Sequence, residues 1–132
     1  MSVDSFDPAT LAARLTPDII GRLVQAAEHL EADMLGLDEA ESTRLAGVAR
    51  HGKVDWAAAA TGLSEAELVA LIKVFTVAEK RLPGWEAAAG SPVIPLAKEL
   101  RRRGAWPADM TAWIRARSDN RFLPYGSLMD RL

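Results

Sequence analysis

Residues 64–82 read Ser-Glu-Ala-Glu-Leu-Val-Ala-Leu-Ile-Lys-Val-Phe-Thr-Val-Ala-Glu-Lys-Arg-Leu, and no other stretch constrains the fold so tightly. At helical spacing Leu68, Leu71, Ile72, Phe75 and Leu82 share one side, while Val69, Ala70 and Val77 occupy the other. Ser64 with Glu67 three residues on forms a capping box, which fixes the start of that helix. A helix that is apolar nearly all round gains most when other helices enclose it. The segment 64–82 is therefore expected to be the central helix of a bundle.

The flanking sequence supplies the enclosing helices and their punctuation. Ala and Leu dominate, and β-branched residues nowhere alternate with polar ones over a strand length. Asp7-Pro8 opens a short first helix, and Thr16-Pro17 starts a longer one to about residue 34, ended by Gly36. Ile19, Ile20, Leu23, Val24, Ala27, Leu30 and Met34 share its apolar face; Arg22, Gln25, His29 and Asp33 lie opposite. Asp38 and Glu41 cap a helix running to Arg50, with Leu45, Val48 and Ala49 inward, and Asp55 caps a brief one over 56–61, closed by Gly62. Pro83-Gly84 makes a turn after the central helix. Ser91-Pro92 begins another helix, whose true start Pro95 pushes toward Ile94 and which Gly104 ends; Pro107 opens the last, through Arg117. Residues 118–132 read as an ordered but irregular arm. The expected architecture is an all-α, compact bundle of six or seven short helices, with residues 1–132 forming a single domain.

Several function classes are disfavoured. No apolar run reaches the roughly 18 residues that span a bilayer, and the N-terminus lacks the basic start and apolar stretch of a signal peptide. Zero cysteines exclude disulfides, thiol catalysis and thiolate metal sites. His29 and Asp33 could offer two metal ligands at i, i+4, too few for a closed site, and His51 at a helix end suits the dipole. There is no phosphate loop, nucleophile elbow or zincin motif. A bacterial-type cytosolic protein with no cofactor and no resident metal is expected.

Residues 55–64, Asp-Trp-Ala-Ala-Ala-Ala-Thr-Gly-Leu-Ser, followed by Leu68 and Leu71, resemble a helix-turn-helix. In that reading Ala58 lets two helices approach and Gly62 makes the turn, while Leu63, Leu68 and Leu71 fill the space between them. A recognition helix must present donors and cations to base edges and phosphates. Here the leading residues are Ser64, Glu65 and Ala66, and Lys73 is the first cation. A structural hairpin is the better fit.

Charge separates the two ends of the chain. Residues 1–70 carry 12 acidic and 5 basic side chains, a balance of −7; residues 71–132 carry 6 and 11, a balance of +5. Such asymmetry points to an acidic partner, a nucleic acid, or mutual neutralisation within the fold. Lys98, Arg101 and Arg102 cluster at i, i+3 and i+4, and Glu99 can pair with Arg103. Cations in a last helical turn also complement its dipole. Trp106, Met110, Trp113 and Ile114 line one side of the last helix, and Ala108, Ala112 and Ala116 the other, a stripe that permits a homodimer. Arg117 follows the apolar side and needs a carboxylate or an aromatic face, with Glu79 as its expected partner. Arg121 and Tyr125 fall in a turn-rich, aromatic ending, where Phe122 and Leu123 can pack on the bundle.

These residues lead to a non-catalytic regulatory module that binds a protein partner with an acidic surface. The expected contact residues are Lys98, Arg101, Arg102, Arg103, Arg115, Arg121 and Tyr125. The alternative is a nucleic-acid-binding regulator using the hairpin 55–73 and the basic cluster 98–103. A small enzyme with a site assembled from scattered residues is third.

Overall fold

The structure is a computed structural model and describes residues 16–32, 35–49, 53–82, 84–120 and 122–124. Among them are six α-helices and no strands: α1 Pro17–Ala26, α2 Glu39–Ala49, α3 Lys53–Ala60, α4 Glu65–Arg81, α5 Val93–Arg102 and α6 Met110–Arg117. The Asp7-Pro8 helix, Arg121 and Tyr125 lie outside the described residues. No described helix is long and apolar enough to cross a membrane.

α4 is the central helix. Its capping box closes both ways: the Glu67 N–H donates to Ser64 Oγ at 3.1 Å, and the Ser64 N–H donates to Glu67 Oε1 at 2.8 Å. Such a cap contributes about 1 kcal/mol. The first turns are one-sided, with Glu65 and Ala66 exposed. From Val74 to Glu79 every residue is buried, because α1, α5 and α6 all pack on this helix. On the second apolar side Val77 is 2% exposed, while Val69, packed against the core, and Ala70 are half-buried, so the cover is full only toward the C-terminal half of the helix. Thr76 sits in this interior because its hydroxyl donates to the Ile72 carbonyl at 2.7 Å.

Around α4 the local rules hold, with three departures. Thr16 caps α1 and Pro17 occupies its first turn, but the winding tightens to a 3₁₀ helix over Ala27–Ala32. The Ala27 N–H already reaches the Val24 carbonyl, three residues back. Arg22, expected on the outer face, is half-buried: it grips the Glu41 carboxylate at 2.8 and 2.9 Å and also donates to the Gly36 carbonyl. Arg22 does not displace the cap: Asp38 accepts the Glu41 N–H at 2.7 Å, and the Asp38 backbone N–H in turn donates to the Glu41 carboxylate, as the sequence pair predicts. The guanidinium beside it holds the Glu41 carboxyl below its ordinary value.

The third departure concerns α3, which begins at Lys53, so Asp55 lies in its first turn and not at its cap. Ala58 is exposed while Ala60 is fully buried, and the most extensive helix contact of α3 is with α5. The hairpin is thus not closed through Ala58 as the helix-turn-helix resemblance requires. α3 meets α4 through Trp56, edge-on to Phe75 at 5.1 Å, and Phe75 in turn faces Trp85 at 6.0 Å. An edge-to-face aromatic pair adds about 0.5–1.5 kcal/mol beyond its burial.

The second half of the chain returns across α4. Gly84 adopts φ +86°, which a side chain would disfavour, and this turn delivers Trp85 into the core. The Trp85 indole N–H donates to the Ser42 carbonyl at 2.9 Å and so ties the turn to α2. α5 ends in a Schellman motif: Gly104, at φ +72°, donates to the Arg101 carbonyl and Ala105 to that of Leu100. α6 buries Met110 and Ile114 and leaves Ala108, Ala112 and Ala116 exposed. Beyond it Leu123 is buried and Phe122 packs on the core.

Candidate functional site

The basic residues of α5 are split between two tasks. Glu99 is buried on the α5 side that meets α3 and receives both neighbouring arginines. Arg102 contacts both its oxygens, at 3.1 and 2.5 Å, and Arg103 Nε donates to Oε2 at 2.7 Å. Hydrogen bonds from Arg102, then Arg103, hold the Glu99 carboxyl down at about 2 despite its burial. Arg103 goes further and donates to the Ala60 and Thr61 carbonyls, satisfying the open end of α3. These contacts of Arg103 are internal to the fold. Lys98 and Arg101 are exposed on α5, and Arg115 is exposed on α6.

A second basic region forms where α6 crosses α4. Lys73 Nζ stands 5.3 Å from the centroid of the Trp113 ring, and the Arg117 guanidinium carbon stands 4.2 Å from it. Both lie within the roughly 6 Å reach of cation–π attraction. Arg117 also donates to the Trp113 carbonyl at 3.3 Å. The expected Glu79–Arg117 pair is thus replaced: Arg117 takes the aromatic face, and Glu79 binds elsewhere. Toward the helix ends the same seam opens into a groove of about 130 Å³, lined by Val77, Lys80, Arg81, Ala116 and Arg117. Lys80 pairs with Asp119 at its rim, and Arg81 is exposed. Residues 73, 77, 80 and 81 fall on one face by helical spacing, so the tryptophan and the groove belong to one continuous strip.

On the other side of Lys80 lies a larger cleft, about 520 Å³, lined by Glu79, Glu86, Ala88, Ser118, Asn120 and Phe122, with Lys80 and Asp119 at its edge. Glu79 is 7% exposed. Ser91 Oγ donates to its Oε2 at 2.5 Å while accepting the Val93 N–H at 3.1 Å, so the same hydroxyl starts α5. Asn120 Nδ2 donates weakly to Glu79 Oε1 at 3.4 Å and firmly to the Ala88 carbonyl at 2.9 Å. Desolvation pushes the Glu79 carboxyl up to about 7; the Ser91 and Asn120 hydrogen bonds oppose this, and the charge of Glu86 adds to it.

Sequence reasoning assigned Glu79 to Arg117 and missed the cleft. The available signal was an acid inside an apolar helix, followed 41 residues later by an asparagine in a turn-rich segment. Among the described residues no group of three His, Cys, Asp or Glu side chains is arranged to hold a metal. In comparisons with known proteins, no family model, no curated protein and no solved structure matches the chain.

Proposed function

We propose that this chain is a non-catalytic, cytoplasmic regulatory module that binds a protein partner bearing acidic groups, and that the partner lies along the α4–α6 seam. One observation carries the reading: Lys73 and Arg117 converge on the half-buried Trp113, and the strip continues into a groove flanked by Lys80, Arg81 and Arg117. An aromatic body ringed by cations is the composition that interface anchors favour. The exposed Lys98 and Arg101 on α5, with Arg115 on α6, add positive charge that accelerates encounter with an acidic surface. Duplex reading by α4 is the weaker alternative, because the C-terminal half of the helix is packed on both apolar sides and its leading turn carries Glu65 and Glu67.

Two immobilised probes of matched charge separate these readings: polyglutamate and duplex DNA. Wild-type protein should be retained by polyglutamate, and the double variant Lys73→Glu, Arg81→Glu should lose most of that retention with its melting temperature nearly unchanged. Lys98→Glu, on α5, should weaken retention far less. Preferential retention by duplex DNA, with a steep salt dependence near one log unit per phosphate contact, would transfer the function to nucleic acid. Retention equally insensitive to all three substitutions would remove the seam from the account.

A further inference from the structure

We infer that the cleft between the end of α4, the 86–91 segment, residues 118–120 and Phe122 is a binding site for a small organic cation, an ammonium group on an apolar body. Its volume, about 520 Å³, lies within the range of small-molecule sites. Three of the six acidic residues in the basic half of the chain, Glu79, Glu86 and Asp119, converge on this one cavity, against one cation among the described residues, Lys80. Lys80 is already engaged by Asp119, so among the described residues the wall keeps a negative excess from Glu86 and from Glu79 when ionised. Phe122 and Ala88 give the opposing apolar surface.

The walls are held in place before any ligand arrives. Asn120 spans the cleft mouth by donating to Ala88 and Glu79 while its Oδ1 accepts the Phe122 N–H at 3.0 Å. Ala88, a residue with a side chain, sits at φ +45°, a strained backbone conformation that surrounding contacts must impose. A carboxylate offers about four acceptor positions, and Ser91 and Asn120 use two of those on Glu79. The remainder suit an ammonium donor. Pre-formed walls lower the ordering cost of binding.

Among the described residues, the charged and polar groups around Glu79 are Lys80 on its own helix, Glu86 on the loop, Ser91 at the start of α5, and Ser118, Asp119 and Asn120 beyond α6. A bound cation favours the ionised carboxylate, so binding releases a proton whenever Glu79 is protonated. Affinity then rises with pH and levels off above about 7. The limit, for a ligand that binds only the ionised form, is about tenfold per pH unit below that value.

The test uses the intact chain with benzylammonium, propylammonium and spermidine as cationic probes and benzoate as the anionic control. Amide NMR shifts and calorimetry in two buffers of different ionisation enthalpy give location, affinity and proton release. The cations should move the amides of Glu79, Ala88, Asn120 and Phe122, bind more tightly as pH rises, and release a proton near neutrality; benzoate should not bind. Glu86→Gln, at an exposed position, should weaken cation binding several-fold with an unchanged melting temperature. Glu79→Gln should abolish the pH dependence. If none of the cations perturbs these amides at millimolar concentration, or if benzoate binds as well as benzylammonium, the inference is wrong.

Discussion

Glu79 and Glu99 stand on neighbouring helices with the same exposure, 7%, and end in opposite states. Glu99 meets two guanidinium groups and stays ionised down to about pH 2, whereas Glu79 meets a hydroxyl and an amide and holds its proton to about pH 7. At Glu79 desolvation prevails over two neutral donors, whereas at Glu99 two guanidinium donors prevail over a weaker desolvation. The two sites accordingly do different work. The Glu99 knot fastens α5 to the end of α3, and the Glu79 site joins α4, the Ser91 start of α5 and Asn120 around an open cleft.

The largest effect expected from this contrast is on stability against pH. The unfolded chain releases the Glu79 proton near 4.5, and the folded chain near 7. Between those values the folded state binds more protons, so stability falls as pH rises through the window. The integrated loss is about 3 kcal/mol by pH 8, on the order of 10 °C in melting temperature for a chain of this size. Glu79→Gln, which keeps the shape and stays neutral, should remove that loss and be more stable than wild type above neutrality. Thermal melts from pH 5 to 8 measure it, and parallel profiles for the two proteins would show that Glu79 titrates normally.

A smaller effect separates the two arginines of the Glu99 knot. Arg103→Ala breaks its bond to Glu99 and uncaps the carbonyls of Ala60 and Thr61, at a cost of about 1–2 kcal/mol. Arg102 is 67% exposed and its pairing is screened by solvent, so Arg102→Ala should cost clearly less than Arg103→Ala. Denaturant titration of both variants distinguishes them. Equal losses would mean that Arg103 contributes nothing through α3.

What could be read from the sequence follows the reach of each interaction. The Ser64–Glu67 box, the Thr16 cap, the Gly84 turn and the Glu99–Arg103 pair span three or four residues or a single turn, and helical spacing alone specifies them. The enclosure of α4, full toward its C-terminal half, was legible because its second side offered Val69 and Val77 to nothing but other helices. The contacts that were not legible cross the chain: Arg22 to Glu41 over 19 residues, Trp85 to Ser42 over 43, and Asn120 to Glu79 over 41. No local pattern selects one distant acceptor among many. Arg117 illustrates the ambiguity, since a guanidinium is equally served by a carboxylate or by an aromatic face, and Trp113, one turn back, was nearer than Glu79. The placement of α3 on α5, with Ala58 left in solvent, likewise depended on tertiary packing.

Carbon-detected NMR titration of the glutamate side-chain carboxyls tests the contrast most directly. The expected result is one carboxyl, Glu79, titrating near 7 and another, Glu99, resisting protonation to about 2. If both move together near the ordinary 4.5, desolvation does not prevail at Glu79 nor the guanidinium donors at Glu99, and the division between knot and cleft is contradicted.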